Sequence, residues 1–206
     1  MQSDTRSEVL KIVNDIIPEI LKNCTTVHNY FVHGSRAMNY YLPSYKKLET
    51  ADWDIKIIGA IDNVKGFMKY IKESLNHLIH YDISVTQNKN IFKMYLHIPH
   101  HDKDSSRTVA WSFMQIYLDA DSVDKKVKID KIWVQSVYDL KRTIDIDIES
   151  SLSYLSTKAK HKKEIFEEYI LSSAYSEILP FLDDKQMTMK KVYEISSNID
   201  AFLQTV

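Results

Sequence analysis

Two short groups of residues in the first third of the chain have side chains suited to metal and phosphate chemistry. Asp52 and Asp54 flank Trp53 in an apolar segment, and in a strand such alternate residues point to the same face. Two carboxylates held side by side repel each other unless a cation lies between them, and Mg²⁺ or Mn²⁺ prefers such oxygen ligands. Upstream, Gly34 allows close backbone approach to a ligand, and Ser35 opens a predicted helix whose N-terminus suits a phosphate. The pattern predicts a nucleotide and metal site.

These motifs resemble the signature of a known superfamily. Val-His-Gly-Ser at 32–35, followed by Asp-Trp-Asp-Ile-Lys-Ile at 52–57, resembles the DNA polymerase beta-like nucleotidyltransferases. Within them, Gly-Ser-Arg-Ala-Met-Asn-Tyr-Tyr-Leu before Ala-Asp-Trp-Asp-Ile is most similar to the catalytic core of poly(A) polymerases of large cytoplasmic DNA viruses. The spacing between the two motifs is longer than usual in the superfamily, and we interpret residues 42–50 as an inserted loop.

The resemblance implies a fold and an activity. The fold would be α/β (α+β), with a nucleotidyltransferase-type mixed sheet flanked by helices and a short C-terminal helical extension. The activity would be transfer of a nucleoside monophosphate, AMP from ATP or from another NTP, to a hydroxyl such as an RNA 3′ end, with release of pyrophosphate. Mg²⁺ or Mn²⁺ would be the cofactor. The alternatives are a nucleotidyltransferase acting on tRNA, protein or a small molecule, and a catalytically inactive binding subunit.

The superfamily also places a third acidic residue on a later strand, beside the Asp-x-Asp pair. We predict that Asp130 fills this role. Residues 111–118, an acidic turn and residues 127–132, part of a predicted strand over 127–134, resemble the strand-turn-strand of poly(A) polymerases in which the third Asp follows an apolar residue of the second strand. Asp119 and Asp121 are the rivals, although both fall at a predicted turn where acidic residues need no catalytic explanation. Asp52, Asp54 and Asp130 are thus the predicted catalytic and metal-binding residues.

Four other residues are candidates for contacts with the nucleotide, with its charge or with RNA. Arg36 follows the Gly-Ser pair and is a candidate phosphate contact, or else a solvated helix residue. Lys56 shares the face of the two aspartates and is either their charge partner or a surface lysine. Lys158 opens a basic run at 158–163 that predicts either a triphosphate- or RNA-facing patch or a solvated helix face, and Tyr154 just before it is a candidate for base stacking.

A second Asp-x-Asp pattern lies at Asp145 and Asp147, between isoleucines. No glycine follows Gly66, so this pair lacks a phosphate turn. We interpret it as the polar face of a strand or connector rather than as a second site. The cluster of His and Asp residues over 97–104 fits no established zinc spacing and predicts a loop.

The composition of the chain argues against disulfide-rich, membrane-spanning and secreted classes of protein. The chain has 206 residues, a formal charge of −1, 44% hydrophobic residues and one cysteine, Cys24, which excludes an internal disulfide framework. We expect no membrane span and no signal peptide, hence a cytoplasmic location, in the host cytoplasm or the virion if the source is viral. The near-neutral charge predicts that any RNA contact is local.

The order of predicted elements is helical, then mixed, then helical. Helices are expected over 7–22 (kinked at Pro18), 35–42, 63–80, 157–173 and 188–203, and strands over 27–33, 53–58, 91–98, 109–118 and 127–134. We predict a catalytic core over residues 1–150 and a C-terminal helical extension over 151–206. The extension is shorter than a full RNA-holding domain, which favours short additions, a protein partner subunit or homodimer, or another acceptor.

Overall fold

The structure, a computed structural model, describes residues 7, 9, 11–24, 29–99, 108–120, 122, 124–150 and 152–171. The chain divides into two compact units. The first unit comprises residues 1–32, 49–123 and 130–132, and the second comprises 33–48, 124–129 and 133–206. Helices and strands alternate irregularly along the chain, which confirms the predicted α+β class. The boundary at residue 150 stays a prediction.

The first unit contains a five-stranded mixed sheet. Its elements are a π-helical turn (Ile12–Ile16), α1 (Ile17–Lys22), β1 (Tyr30–Val32), β2 (Trp53–Ile57), α3 (Ile61–Asn76), β3 (Asp82–Asn88), β4 (Ile91–Pro99) and β5 (Thr108–Leu118). The strand order is β3-β4-β5-β2-β1. β2 runs parallel to β5, and the other pairs are antiparallel. β2 therefore lies between two other strands.

The positions of β2 and α3 follow from their hydrophobic periodicity. In β2, Trp53, Ile55 and Ile57 are buried, whereas Asp54 and Lys56 are partly exposed. This is the period of two that a strand with one apolar face requires. α3 buries four apolar residues at helical spacing, which are Val64, Phe67, Ile71 and Leu75. The strand period of β2 and the helical period of α3, both visible in the sequence, thus determine which face of each element packs in the core.

The N-terminal helical segment changes its hydrogen-bonding pattern near Pro18. Residues 12–16 form a π-helical turn, and α1 begins at Ile17 with the proline in its first turn. Proline has no N–H to donate to the carbonyl four residues earlier, so a widened turn just before it is physically reasonable. The helix type thus changes next to Pro18, and the kink itself stays a prediction.

The second unit is built from helices and a hairpin. Its elements are α2 (Gly34–Tyr41), a 3₁₀ turn (Ser44–Lys46), β6 (Lys126–Ile129), β7 (Ile132–Gln135, whose first residue belongs to the first unit), α4 (Val137–Glu149), α5 (Ser153–Ile165) and a π-helical turn (Phe166–Leu171). Ser136 caps α4 by accepting a hydrogen bond from the Asp139 N–H. The buried Asp139 carboxylate also accepts from the Lys125 N–H at 2.6 Å and pairs with Arg142 at 3.1 Å.

Two predicted elements were wrong, and one strand was missed. Residues 127–134 are not one strand, because Asp130 and Lys131 form a turn between β6 and β7 with φ of +48° and +68°. The Asp-x-Asp pair at 145 and 147 lies in the helix α4, where Lys141 binds the Asp145 carboxylate at 2.5 and 2.7 Å. β3 was not predicted, since only Ile83 of its residues is buried.

Other predictions differ from the structure only in their limits. The first predicted strand begins at Tyr30, and residues 25–28 lie outside the described part. The predicted helix at 188–203, the rival carboxylate Asp121 and most of the loop at 97–104 lie outside it as well. Among the helices that the structure describes, none has the length and apolar composition needed to cross a membrane.

Candidate active site

The site face of β2 carries Asp52 and Asp54. Asp52 immediately precedes the strand and Asp54 is its second residue, and both side chains are partly exposed. Trp53 points the opposite way, is 2% exposed, and donates from Nε1 to the Val13 carbonyl at 2.6 Å. This anchor fixes the side of the strand on which the two carboxylates lie. Alternate residues of a strand are about 6.6 Å apart, so the pair can share cations.

The parallel strand β5 contributes the neighbours of this pair. Gln115 lies opposite Asp54 in the register, and Tyr117 lies opposite Lys56. The Tyr117 hydroxyl donates to Asp54 Oδ1 at 3.5 Å and accepts a hydrogen bond from Gln115 Nε2. Burial, and then the negative charges of Asp54 and Asp52, raise the pKa of Tyr117. The hydroxyl therefore stays protonated and able to donate to the carboxylate.

Neither neighbour of β2 supplies a third acidic residue. No Asp or Glu occurs in β1 or β5, where the resemblance would place the third carboxylate. Within the described residues, no three His, Cys, Asp or Glu side chains are grouped to hold one ion. The role of Asp130 as a metal ligand stays a prediction, but its placement on a strand is wrong. Asp130 lies instead in the β6–β7 turn. The pKa of the Lys22 ammonium is raised chiefly by its hydrogen bond to Glu19 and the charge of that residue, and only to a small extent by Asp130.

Asp119 lies at the other end of the β2–β5 pair. It follows β5, its N–H donates to the Ile57 carbonyl at 3.0 Å, and its carboxylate is 3.5 Å from Lys56 Nζ. Four residues separate Asp54 from the level of Asp119, which is roughly 13 Å along a strand. Lys56 therefore forms an ion pair with Asp119. The Asp119 carboxylate lies beside this lysine rather than beside Asp54.

The Gly-Ser motif lies at the beginning of α2 in the second unit. Gly34 has φ of +68°, a left-handed conformation that favours glycine, and Ser35 and Arg36 occupy the first turn of the helix. In the first unit, β1 ends at Val32 opposite Ile55, one residue from Asp54. The chain thus passes from β1, the strand paired with β2, through His33 into α2, which begins with the Gly-Ser motif.

The loop that we interpret as an insertion is held by specific contacts within the second unit. The side-chain amide of Asn39 in α2 donates to the Leu48 carbonyl at 2.8 Å and accepts from the Leu48 N–H at 2.7 Å. Lys46 lies over the Tyr169 ring, 4.7 Å from its centroid. Residues 42–48 of this loop are therefore an ordered part of the second unit.

The remaining predicted binding residues lie on α5. Tyr154 and Lys158 are exposed and four residues apart, so they share one face of the helix. The basic run is partly balanced by its own helix, since His161 is 3.7 Å from Glu164 and Lys163 is 3.8 Å from Glu167. This pairing favours the solvated-face interpretation for that part of the run.

Sequence reasoning missed Gln115 and Tyr117. Both were read only as part of a strand, and their place beside Asp54 depends on the parallel pairing of β2 with β5. That pairing joins segments separated by α3, β3 and β4 in the chain. The alternation of Met114 and Ile116 with Gln115 and Tyr117 was the available signal, but it carries no information about the partner strand.

Comparison with known proteins gives structural likenesses only. No protein-family model matches the chain, and no curated protein matches it. The Megavirus polyadenylate synthase is 12% identical, over 93% of this chain and 38% of that one, with a TM-score of 0.45. JHP933 from Helicobacter pylori is 13% identical, over 100% and 93%, with a TM-score of 0.43. The Cid1 poly(U) polymerase is 14% identical, over 56% and 33%, with a TM-score of 0.29. At these values the likenesses do not assign the chain to a family.

Proposed function

We propose that this chain is a metal-dependent nucleotidyltransferase that transfers a nucleoside monophosphate, AMP from ATP, to an acceptor hydroxyl such as an RNA 3′ end and releases pyrophosphate. The observation that carries the proposal is the pair Asp52 and Asp54 on one face of β2, behind a Gly34-Ser35 turn in which the glycine has a positive φ. Neither motif alone is specific. Their order in the chain is what supports nucleotidyl transfer over other metal chemistry.

The residues present fit a divalent metal by the chemistry of their donor set. Asp52 and Asp54 provide hard carboxylate oxygens, and they are partly exposed, which leaves space for a substrate phosphate. When bound, Mg²⁺ or Mn²⁺ would neutralise charge on the phosphates during the displacement. Tyr117 holds the Asp54 carboxylate through its hydroxyl, and such support orients a metal ligand.

The other residues have roles in binding and alignment. We assign Ser35, the Gly34 backbone and Arg36 to the triphosphate, and Tyr154 with Lys158 to the nucleotide or the acceptor RNA. Asp130 is the proposed third carboxylate, with the role of accepting the proton of the attacking hydroxyl. Positioning and charge neutralisation provide most of the rate in phosphoryl transfer, so these groups need no covalent step of their own.

A second candidate is a nucleotide-binding subunit that does not catalyse transfer. The observation that favours it is the presence of Gln115 beside Asp54 on β5, together with the lack of an acidic residue on β1 or β5. Two carboxylates suffice to bind a metal–nucleotide complex. Transfer additionally needs a group that activates the hydroxyl.

One assay separates the two candidates. The purified chain is incubated with labelled ATP, Mg²⁺ or Mn²⁺ and, in separate reactions, an oligoadenylate, tRNA, protein or small-molecule acceptor, and both labelling of the acceptor and binding of ATP are measured. We expect metal-dependent extension that EDTA abolishes and that Asp130→Asn lowers by about 10²-fold, the typical contribution of a general base. Binding of ATP without extension of RNA, tRNA, protein or small-molecule acceptors would favour the second candidate and contradict the first.

A further inference from the structure

The β6–β7 hairpin presents two lysines on one tryptophan. Lys126 Nζ lies 4.5 Å from the centroid of the Trp133 ring, and Lys128 Nζ lies 5.6 Å from it. Residues 126 and 128 share one face of β6, and Val127 between them is buried. We call Lys126, Lys128 and Trp133 the Lys-Trp face. Both ammonium groups lie within the range of a cation–π interaction, which holds them beside the aromatic surface.

The sequence around the Lys-Trp face is basic, although the chain as a whole is not. Residues 125–131 contain four lysines and one acidic residue, Asp130, whereas the whole chain has a formal charge of −1. Burial lowers the pKa of Lys126, since desolvation penalises its charged form. An anionic ligand would offset that penalty. The hairpin thus combines concentrated positive charge with an aromatic ring, whereas the run at 158–163 is partly balanced by glutamates of its own helical segment.

Lysines on an edge strand also have a simpler use. β6 has one strand neighbour, β7, among the described strands, and edge lysines discourage pairing with other sheets. That use requires charge but no aromatic partner. Protection of the sheet edge therefore does not explain why two ammonium groups lie over one partly exposed indole.

We propose that the Lys-Trp face binds single-stranded RNA, with backbone phosphates on Lys126 and Lys128 and one base against the exposed part of the Trp133 indole, which the two ammonium groups leave uncovered. This rests on the proposed function, for which it supplies a place to hold the acceptor strand. Proteins that bind single strands combine lysines that contact the backbone with aromatic rings on which bases stack. A duplex keeps its bases paired and stacked, so its bases are not available to the indole.

The test measures binding of a labelled oligoadenylate by fluorescence anisotropy over a range of salt concentrations, without ATP or metal. Lys126→Gln with Lys128→Gln is expected to weaken binding about tenfold at low salt. It is also expected to reduce the slope of log affinity against log salt by about 1.4, since each phosphate contact on a single strand contributes about 0.7. Circular dichroism and thermal melting establish that the variant is folded.

The matched control removes two lysines from α3. Lys65 and Lys69 are exposed and paired with acids of their own helix, so Lys65→Gln with Lys69→Gln makes the same change in net charge elsewhere. We expect that control to bind RNA within about twofold of wild type and with an unchanged slope. An equal loss in both double variants would overturn the proposal, because it would show an effect of net charge alone.

Tryptophan fluorescence tests the aromatic contact separately. Oligoadenylate is expected to quench part of the emission of the wild-type protein, and Trp133→Phe is expected to remove that quenching. Trp53 is buried, and Trp111, the third tryptophan, is partly exposed on β5, so Trp111→Phe is the control that should keep the quenching. Equal affinity for duplex RNA, or quenching that persists in Trp133→Phe, would contradict the proposal. Because these measurements need no catalysis, a failure of the RNA-binding proposal can be distinguished from a failure of the proposed transferase activity.

Discussion

Replacement of Asp52 and Asp54 together by asparagine is expected to reduce nucleotide transfer by at least about a thousandfold. Loss of a single preorganised electrostatic group typically costs about 10²–10³ in rate, and here both carboxylates that would hold the metal are neutralised. Asparagine keeps the size and shape of each side chain. The measurement is the initial rate of acceptor extension with labelled ATP and Mg²⁺.

The same double variant is expected to be at least as stable as the wild type. Two like charges on one strand face repel each other, and removing them relieves that repulsion. Thermal melting therefore separates a lost site from a lost fold. Asp62→Asn with Glu73→Gln, on exposed positions of α3, makes the same change in charge and is expected to keep full activity. Extension by the Asp52 and Asp54 variant within a few fold of wild type would show that these carboxylates do not hold the catalytic metal.

Replacement of Trp53 by alanine is expected to lower the free energy of unfolding by about 3–5 kcal/mol, the usual range for a large buried aromatic side chain. Trp53 is 2% exposed, and its Nε1 donates to the carbonyl of Val13, which is itself fully buried. The substitution leaves a cavity beneath the site strand and removes the hydrogen bond that joins β2 to the N-terminal helical segment. Urea denaturation followed by circular dichroism measures the change.

Trp53→Phe separates the contribution of the indole hydrogen bond from that of the buried aromatic volume, and Leu78→Ala serves as a control. Trp53→Phe keeps most of the aromatic volume but not the donor, so we expect a smaller loss of about 1–3 kcal/mol. Leu78→Ala, at a position that is 60% exposed, is expected to change stability by less than about 0.5 kcal/mol. If Trp53→Ala unfolds at the same urea concentration as the wild type, β2 is not anchored by this side chain.

Local periodicity predicted the site strand correctly because β2 has one apolar face. Trp53, Ile55 and Ile57 alternate with Asp54 and Lys56, and that pattern needs no knowledge of any other strand. The neighbours of Asp54 could not be read in the same way. Gln115 and Tyr117 reach the site through a parallel pairing between distant segments, and nothing in either segment specifies its partner.

The hairpin of β6 and β7 carried a signal that was overlooked. Its aliphatic residues occupy odd positions at Val127 and Ile129 but even positions at Ile132 and Val134. A strand cannot change the parity of its buried face without an irregularity, so the change marks the turn at Asp130. Two-residue turns with positive φ favour Asn-Gly or Asp-Gly, and Asp-Lys is a weaker signal.

The Asp-x-Asp segment at 145–147 was predicted as a strand or connector because too much weight was given to a short alternating pattern. Isoleucine and aspartate alternate there as in a strand, yet the segment is part of α4, where Ile144 is buried and Ile146 is exposed. The helix has a local cause upstream, because Ser136 and Asp139 form a capping arrangement at its start. A start signal nine residues away was more informative than five residues of alternation.

The most direct test of the central claim is to locate a metal by diffraction at the manganese absorption edge, from crystals grown with Mn²⁺ and a non-hydrolysable ATP analogue. Our account predicts an anomalous peak about 2.0–2.2 Å from carboxylate oxygens of both Asp52 and Asp54, with the triphosphate bound at Gly34 and Ser35. A crystal in which the nucleotide and Mn²⁺ are bound elsewhere, while Asp52 and Asp54 ligate nothing, would contradict it.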